Sequence, residues 1–366
     1  MIDSVQQGGP VLVVNAGSSS LKLSLLAADG TCLRHAQGAW DPAASAEATA
    51  ATLASLLPPW LTAAEESGGA APQLIGHRVV HGGERFLAPT LLGEEELRAL
   101  EQLVPLAPLH NGPALRVMRW LAASRPELPQ WACFDTAFHR TLPPEARTYA
   151  LPARWRQQGL RRYGFHGLNH QHVSEAVERR FGPCGPGGAP LRLISCHLGA
   201  GCSLCAVRGG ASIATTMGFT PLEGLVMATR CGSIDPGLLL HQLRQGMGVE
   251  ELDRALNEAS GLLGLSGLSG SMKDLREAAA AGHAEANLAI GVFLHQLRQG
   301  IGAMAASLGG VDVIALTGGI GEHDDALPQE LQDSMAWLAP FELVRIPADE
   351  EGLIARLCLQ EAGLSR

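Results

Sequence analysis

The chain has 366 residues, of which 46% are hydrophobic and 17% charged, so it has enough apolar material for a large core and enough length for two domains. Its formal net charge of -9 argues against binding to nucleic acid or to an anionic membrane surface. The sequence contains no apolar run near the ~20 residues of a membrane span, and no basic segment followed by a long apolar one at its start. With eight scattered cysteines, these features predict a cytoplasmic protein with reduced thiols.

The first predicted element is a hairpin over Val11–Leu26. Val11–Val14 is apolar, Asn15–Ser20 is made of small polar and glycine residues, and Leu21–Leu26 alternates apolar with polar side chains. A strand, a tight turn and a second strand would offer backbone N–H groups and hydroxyls to an anion at the tip. No Gly-Lys-Ser/Thr follows, which excludes a P-loop. An ordinary serine-rich hairpin is the alternative.

The next part of the first half alternates helices and strands. Ala43–Ser67 is predicted to be helical with a break at Pro58-Pro59, and Leu74–Phe86 combines apolar residues with ionisable ones, as in a solvated strand edge or a cleft wall. Helices are predicted over Glu94–Val104 and Pro113–Ala123, joined by a proline-stiffened loop that carries His110 and Asn111.

Gln130–His139 begins as a buried strand and places Asp135 at its end. A carboxylate at the carboxyl end of a strand suits catalysis, although capping the next turn is an equally good role for it. The chain is then predicted to leave its first domain near Pro143-Pro144.

The second half repeats the opening pattern. A glycine-rich turn is predicted over Arg161–Leu168, where it holds His166, and a helix is predicted to start at Asn169 or His170. The segment Leu191–Val207 then again predicts a strand, a turn at His197–Gly201 and a second strand. Two such hairpins indicate a duplicated fold with a ligand between the copies. Cys202-x-x-Cys205 has no second pair at zinc-finger spacing, which disfavours a metal there.

The last third contains a long loop and three elements. Thr215–Gly237 is too rich in Gly, Pro and Thr for one element and is predicted to be a functional loop presenting Glu223, Arg230 and Asp235. Apolar residues from Ile290 to Leu308, spaced 4, 3, 4, 3 and 4 apart, predict a helix in the core or at a subunit contact. A buried strand, Val311–Leu316, then enters a glycine-rich turn, and acidic residues before Gly352 complement the start of a closing helix.

Ordered sequence blocks carry a family resemblance. The following blocks occur in order along the chain: NAGSSSLK, GHRVVHGGE, LAPLHN, FDTAFH, YGFHG, CHLG-x-G, MGFTPLEG, TRCGSIDP, SGLSG and TGGIGE. Together they resemble the acetate kinase family over nearly the whole chain. The resemblance implies a duplicated RNase H-like α/β fold, as in acetate and sugar kinases, heat-shock chaperones and actin, with a cleft between two domains. It implies an acyl- and phosphate-binding domain of residues 1–140 plus 351–366, and a nucleotide-binding domain of residues 141–350 that forms a homodimer.

The family transfers a phosphoryl group reversibly between ATP and acetate. The nucleophile is already a carboxylate near neutral pH, so the demand is for positive charge and donors rather than for a strong base. The resemblance implies catalytic roles for Arg78, Asp135, His166 and Arg230, and a substrate site of Arg78, Val80, Leu109, His110, Phe165 and Pro221.

The resemblance also implies a Mg²⁺ site, which could take Mn²⁺, in the region of Asn15, Ser18 and Glu350. The ATP-binding residues that it implies are Lys22, His197, Gly199, Ala200, Gly201, Ser271, Met272, Lys273, Gly319, Ile320, Gly321 and His323.

Departures from the family pattern cluster on the nucleotide side. Ala200 stands where the family usually has Asn, Ser271 stands where it has the Asp expected to reach the ribose, and His323 replaces an Asn. A different phosphoryl donor such as pyrophosphate is therefore an alternative to ATP. Propionate or butyrate is an alternative to acetate, because one methylene is worth only about 1–3 kcal/mol in an apolar pocket. A non-catalytic, actin-like nucleotide-binding module is disfavoured by the retained charged residues.

Overall fold

The computed structural model describes residues 9–17, 20–41, 44–62 and 71–364, except for the side chains of Ala46 and Leu109. The chain forms two compact units, unit 1 from Met1–Phe138 with Asp349–Arg366 and unit 2 from His139–Ala348. The chain crosses between them after Phe138 and Ala348, rather than after residues 140 and 350. Asp349 belongs with unit 1 because its side chain caps the closing helix by accepting from Gly352 N–H.

Unit 1 is built on one mixed sheet in the order β3-β2-β1-β4-β6-β5. β2 pairs antiparallel with β1 and β3, whereas β4 runs parallel to β1 and β6 parallel to β4. The strands are β1 (Val11–Ala16), β2 (Ser20–Leu26), β3 (Cys32–Ala39), β4 (Leu74–Val79), β5 (Thr90–Leu91) and β6 (Gln130–Phe134).

Helices cover both faces of this sheet, which explains why every residue of β1 is buried. The helices are α1 (Ala46–Leu56), α2 (Pro58–Leu61), α3 (Glu94–Leu103), α4 (Pro108–Ser124) and the closing α15 (Glu350–Glu361). α15 can lie close to β4 because the facing residue is Gly76: a Cβ added there would stand 2.7 Å from Ile354 Cγ2 and 3.1 Å from Cys358 Sγ.

Unit 2 repeats the strand order of unit 1. Its sheet has the order β11-β10-β7-β8-β9, with β7, β8 and β9 antiparallel and with β10 and β11 parallel to β7, which matches the order β6-β4-β1-β2-β3. The strands are β7 (Arg192–Leu198), β8 (Cys202–Arg208), β9 (Ala211–Thr215), β10 (Val313–Thr317) and β11 (Glu342–Arg345). The two hairpins predicted from the sequence are thus equivalent elements of a duplicated topology.

The core of unit 2 includes α12, whose buried residues continue from Ala286 to Leu308. The helices of this unit are α5 (Pro144–Arg147), α6 (Ala153–Arg156), α7 (Gly167–Phe181), α8 (Pro236–Arg244), α9 (Val249–Glu258), α10 (Gly261–Ser266), α11 (Met272–Ala280), α12 (Ala284–Leu308), α13 (Gly318–His323) and α14 (Leu327–Ser334). Short 3₁₀ turns occupy Val104–Leu106, Ala137–Thr141, Pro186–Gly188 and Ala336–Leu338. None of the helices in the described part of the chain is both long and apolar enough to cross a membrane.

Two predicted loops proved to be helical. His110 and Asn111 lie in the first turns of α4, because the helix starts at Pro108, where a proline costs no hydrogen bond, and includes Pro113. The glycine-rich turn after β10 forms α13, and the break between strand and helix is made by Gly318 at φ +78. The predicted helix over Ala43–Ser67 is divided into α1 and α2, and its end lies outside the described residues.

Candidate functional site

In unit 1, Arg78 and Asp135 form a two-pronged ion pair at the carboxyl ends of neighbouring parallel strands. Arg78 is on β4 and Asp135 follows β6. Arg78 Nε donates to Asp135 Oδ1 at 3.1 Å, and Nη2 donates to Oδ2 at 2.7 Å. Burial raises the pKa of the Asp135 carboxyl, whereas the Arg78 guanidinium opposes that shift. The pair fixes the Arg78 fork in one orientation.

Glu350 brings a second carboxylate to Arg78. Its Oε2 lies 3.9 Å from Arg78 Nη1, at the start of α15. The cross-strand register pairs Asn15 at the end of β1 with Lys22 on β2. Asn15 and Glu350 offer amide and carboxylate oxygens, the hard donors that Mg²⁺ prefers.

The described residues contain no group of three or more His, Cys, Asp or Glu side chains that could hold a metal. Mg²⁺ commonly binds proteins through one or two carboxylates and leaves its other positions to water and phosphate oxygens. The donor chemistry of Asn15 and Glu350 fits such an ion.

The predicted acyl-binding residues of unit 1 lie near the start of α4 and the end of β4. Val80 follows β4 directly, His110 lies on α4, and the side chain of Leu109 is outside the described residues, as is Ser18 of the first hairpin. Asn111 has a structural role that the loop prediction did not foresee. Its side chain accepts from His81 N–H at 3.1 Å and donates to His81 C=O at 2.9 Å.

In unit 2, His166 is held in an uncommon backbone conformation before α7. It is the only non-glycine residue with positive φ in the described part of the chain, at φ 56 and ψ 22. Such strain costs of order 1–3 kcal/mol and persists where the surroundings enforce it, commonly at functional sites. The His166 ring stacks on His197, with centroids 4.1 Å apart, while Phe165 beside it is fully buried.

The turn of the second hairpin lies against His166 and Arg230. A Cβ added to Gly201 would stand 3.1 Å from His166 Nε2 and 3.7 Å from Arg230 Nη1, so the glycine allows all three to come close. Gly199 likewise faces Gly319 N and His197 Nε2, at 3.7 and 3.9 Å from an added Cβ. The structure thus brings together four residues predicted for catalysis and phosphate binding: His166, His197, Gly201 and Arg230.

Arg230 lies here without a carboxylate partner. Its Nη1 donates to the carbonyl of Pro221 at 3.3 Å, and no Asp or Glu of the described ranges forms an ion pair with it. Burial lowers the pKa of Arg230 from its usual high value, with Cys202 opposing the shift, which leaves the guanidinium charged near neutral pH. A half-buried cation of this kind favours an anionic ligand.

The long loop before α8 is anchored by two of the residues that it was predicted to present. Glu223 accepts from Tyr149 Oη and from Arg162 Nη2, both at 2.5 Å, and Arg162 also donates to the carbonyls of Thr216 and Met217. Asp235 caps α8 by accepting from Gly237 N–H at 2.8 Å. Of the three side chains, Arg230 is the one that the fold places beside the glycine turn.

A cavity of about 830 Å³ in unit 2 contains most of the predicted nucleotide residues. This volume is in the range of small-molecule sites. Its lining includes Gly199, Ala200, Ser271, Met272, Lys273, Gly319, Ile320 and His323, but not Lys22, His197, Gly201 or Gly321. Lys22 belongs to unit 1, and Gly321 is buried in α13.

Ser271 has a local role at this cavity. Its hydroxyl caps α11 by accepting from Asp274 N–H at 3.4 Å. Sequence reasoning missed Arg276, which also lines the cavity and joins α11 to Asp324 and Glu330 through contacts of 2.9 and 2.5 Å.

Residues that contact His166 and His197 were also missed. Ser203 bonds both His166 and His170, and Asn169 bonds His197. Two patterns could have identified them. Asn169 and His170 follow His166 at helical spacing, and Ser203 is the cross-strand partner of His197 in the second hairpin.

Comparisons with known proteins show the family of the chain and its fold. The acetokinase family matches residues 44–351. The chain is 49% identical over 342 residues to the acetate kinase of Synechococcus sp. (strain JA-2-3B'a(2-13)), covering 86% of this chain and 84% of that protein. It also resembles the crystal structure of Porphyromonas gingivalis acetate kinase, with a TM-score of 0.84, 29% identity, and 98% and 100% of the two chains covered.

A propionate kinase from Francisella tularensis subsp. tularensis SCHU S4 is similar to the same degree, with a TM-score of 0.84, 31% identity, and 95% and 98% of the two chains covered. The predicted two-domain fold of acetate and sugar kinases is confirmed.

Proposed function

The chain belongs to the acetokinase family, and on that basis we propose that it transfers a phosphoryl group reversibly between ATP and acetate, giving ADP and acetyl phosphate. The observation that carries the proposal is the cluster of Arg230, His166 and Gly201 in unit 2. It combines a guanidinium without a carboxylate partner, an imidazole and a turn open to close approach. A transferring phosphoryl group needs this combination of fixed positive charge and donors.

The proposed chemistry divides between charge stabilisation and orientation. Arg230 and His166 donate to the oxygens of the transferring group, where negative charge must be balanced. Arg78 binds the carboxylate of the acyl substrate. Asp135 acts through Arg78, because both of its oxygens are already hydrogen-bonded to that fork. The acyl carboxylate attacks phosphorus and the bond to ADP breaks, so no proton has to be removed from the nucleophile.

We infer that Asn15 and Glu350 hold Mg²⁺, whose role is to neutralise phosphate oxygens during transfer. We propose that the acyl group is held by Val80, Leu109, His110, Phe165 and Pro221, and that the phosphates contact Lys22 and His197.

Propionate is the second candidate substrate, supported by the similarity to the propionate kinase. ATP is favoured over pyrophosphate because a cavity of about 830 Å³ accommodates a nucleoside that pyrophosphate lacks.

Acyl phosphate formation, trapped as the hydroxamate, tests the function. Acetate, propionate and butyrate are each supplied with Mg²⁺ and either ATP or pyrophosphate. We expect turnover with acetate and ATP. Turnover with pyrophosphate alone would replace the donor and keep the chemistry, whereas absence of acyl phosphate in every combination would contradict the proposal and favour a nucleotide-binding module.

Restoring the family's usual side chain at Ala200 is expected to tighten nucleotide binding. Ala200 is exposed in the lining of the cavity, so an asparagine there has room to donate to phosphate. Ala200→Asn should lower the KM for ATP by about 3- to 10-fold, the value of one hydrogen bond, and leave the KM for acetate unchanged. Ala200→Leu, which adds bulk without a donor, is the control. An ATP KM equal to that of the wild type would show that the missing donor is unimportant.

We also propose that unit 2 forms a homodimer. α8 and α9 contain no buried residue, while Leu238, Leu240, Leu243 and Val249 are 49%, 51%, 38% and 67% exposed. A second copy would cover this apolar surface. Light scattering should give twice the mass of the chain for the wild type and the single mass for a Leu240→Glu, Val249→Glu variant. A monomeric wild type would contradict the proposal.

All eight cysteines are free thiols, which supports the proposed cytoplasmic location.

A further inference from the structure

A chain of buried hydroxyls and imidazoles runs from His166 into the core of unit 2. Ser203 Oγ lies 2.9 Å from His166 Nδ1 and 2.8 Å from His170 Nε2. His170 Nδ1 in turn lies 2.8 Å from Ser195 Oγ. Ser195, Ser203 and His170 are all completely buried, so each hydrogen in the chain needs a protein acceptor.

The direction of this chain can be worked out from its inner end. His170 is the only hydrogen-bond partner of the Ser195 hydroxyl within the described ranges. If His170 Nδ1 carried the proton, the buried hydroxyl hydrogen of Ser195 would have no acceptor. Ser195 therefore donates to His170 Nδ1. Burial, with the rings of His139 and His197 nearby, lowers the pKa of His170 well below its usual value, so the ring is neutral and carries its one proton at Nε2.

The outer half of the chain follows from the single proton of a hydroxyl. His170 Nε2–H donates to Ser203 Oγ, which leaves the Ser203 proton to be donated to His166 Nδ1. A neutral His166 that accepts at Nδ1 must carry its own proton at Nε2. That nitrogen is on the side of the glycine turn, because it would lie 3.1 Å from a Cβ at Gly201.

We propose that Ser203, supported by His170 and Ser195, is a positioning residue that fixes His166 in the tautomer with its proton at Nε2, ready to donate to the phosphoryl group. The role of His166 in catalysis rests on the proposed function, whereas the tautomer itself does not. The backbone before His166 is held separately, since His139 Nε2 lies 3.0 Å from the carbonyl oxygen of Phe165.

The direct test is ¹⁵N NMR of histidine-labelled protein at a pH where His166 is neutral, with His166→Ala used to assign its signals. In the wild type we expect an unprotonated Nδ1 and a protonated Nε2. In Ser203→Ala the two nitrogens should show averaged shifts, because the donor to Nδ1 is gone. Ser195→Ala should produce a smaller change in the same direction. A wild-type ring with its proton at Nδ1 would overturn the proposal.

Kinetics provide the second measurement. Ser203→Ala should lower kcat by about 10-fold or more while the KM for ATP changes by less than about 2-fold, because a wrong tautomer affects transfer more than binding. Ser24→Ala removes a buried hydroxyl that bonds His35 in unit 1 and should keep wild-type kcat. If Ser203→Ala does not fold, the spectra of the wild type and of Ser195→Ala still show which ring nitrogen of His166 carries the proton. If His166 of the wild type carries its proton at Nε2 but the protein forms no acyl phosphate, the result contradicts the proposed function and leaves the proposed tautomer intact.

Discussion

Replacing Arg230 with alanine is expected to lower kcat by about 100-fold or more. The half-buried guanidinium contacts the carbonyl of Pro221 and lies beside Gly201, and no carboxylate of the described residues neutralises it. Its charge is therefore available to the transferring phosphoryl group, where its effect is largest in the transition state. Steady-state hydroxamate assays at saturating ATP and acetate measure this change.

One further variant separates charge from geometry at this position, and a variant of an exposed arginine on α12 is the control. Arg230→Lys retains the positive charge but loses the planar fork, so it should recover only part of the lost activity. Arg298→Ala, which removes an exposed arginine on α12, should keep wild-type kcat. Turnover near that of the wild type in Arg230→Ala would remove the residue from the catalytic machinery.

The protein is expected to lose stability steeply as the pH falls from about 6.5 to 4. Burial lowers the pKa of His77 to about 4, despite its hydrogen bond to Gln130, and that of His139 to about 4. Above pH 6.5 these rings are neutral in both states. Below it the unfolded chain binds protons that the folded chain does not, so the free energy of unfolding falls. A shift of this size corresponds to about 3 kcal/mol for each histidine at pH 4.

His77→Gln should remove part of this pH dependence from unit 1. We expect the difference in urea midpoint between pH 7.5 and pH 4.5 to be smaller in the variant than in the wild type. Tryptophan emission reports mainly on this unit, which contains Trp40, Trp60, Trp120 and Trp131. His295→Gln changes an exposed histidine of unit 2 and should retain the wild-type dependence. An equal midpoint difference in His77→Gln and the wild type would refute the assignment to His77.

Local sequence patterns were sufficient for the elements that carry the site. The apolar runs before Asn15 and before His197 each predict a strand, and the small residues after them predict a tight turn, because hydrophobic periodicity and turn chemistry are local properties. The same reasoning placed Asp135 at the end of a strand and Asp349 at the start of the closing helix. It was less reliable at helix boundaries, where Pro108 and Gly318 begin helices in segments predicted as loops.

The duplicated hairpins, the strand end that carries Asp135 and the family all follow from the sequence alone. The position of Arg78 at the end of β4 and the contacts between side chains came only from the three-dimensional structure. Ser203 reaches His166 across 37 residues and His170 across 33, and Glu223 anchors its loop through Tyr149, 74 residues away. Such contacts depend on how strands and helices pack, to within a few tenths of an ångström, because a hydrogen bond is lost when its atoms move much beyond 3 Å. No local pattern encodes a distance of that kind.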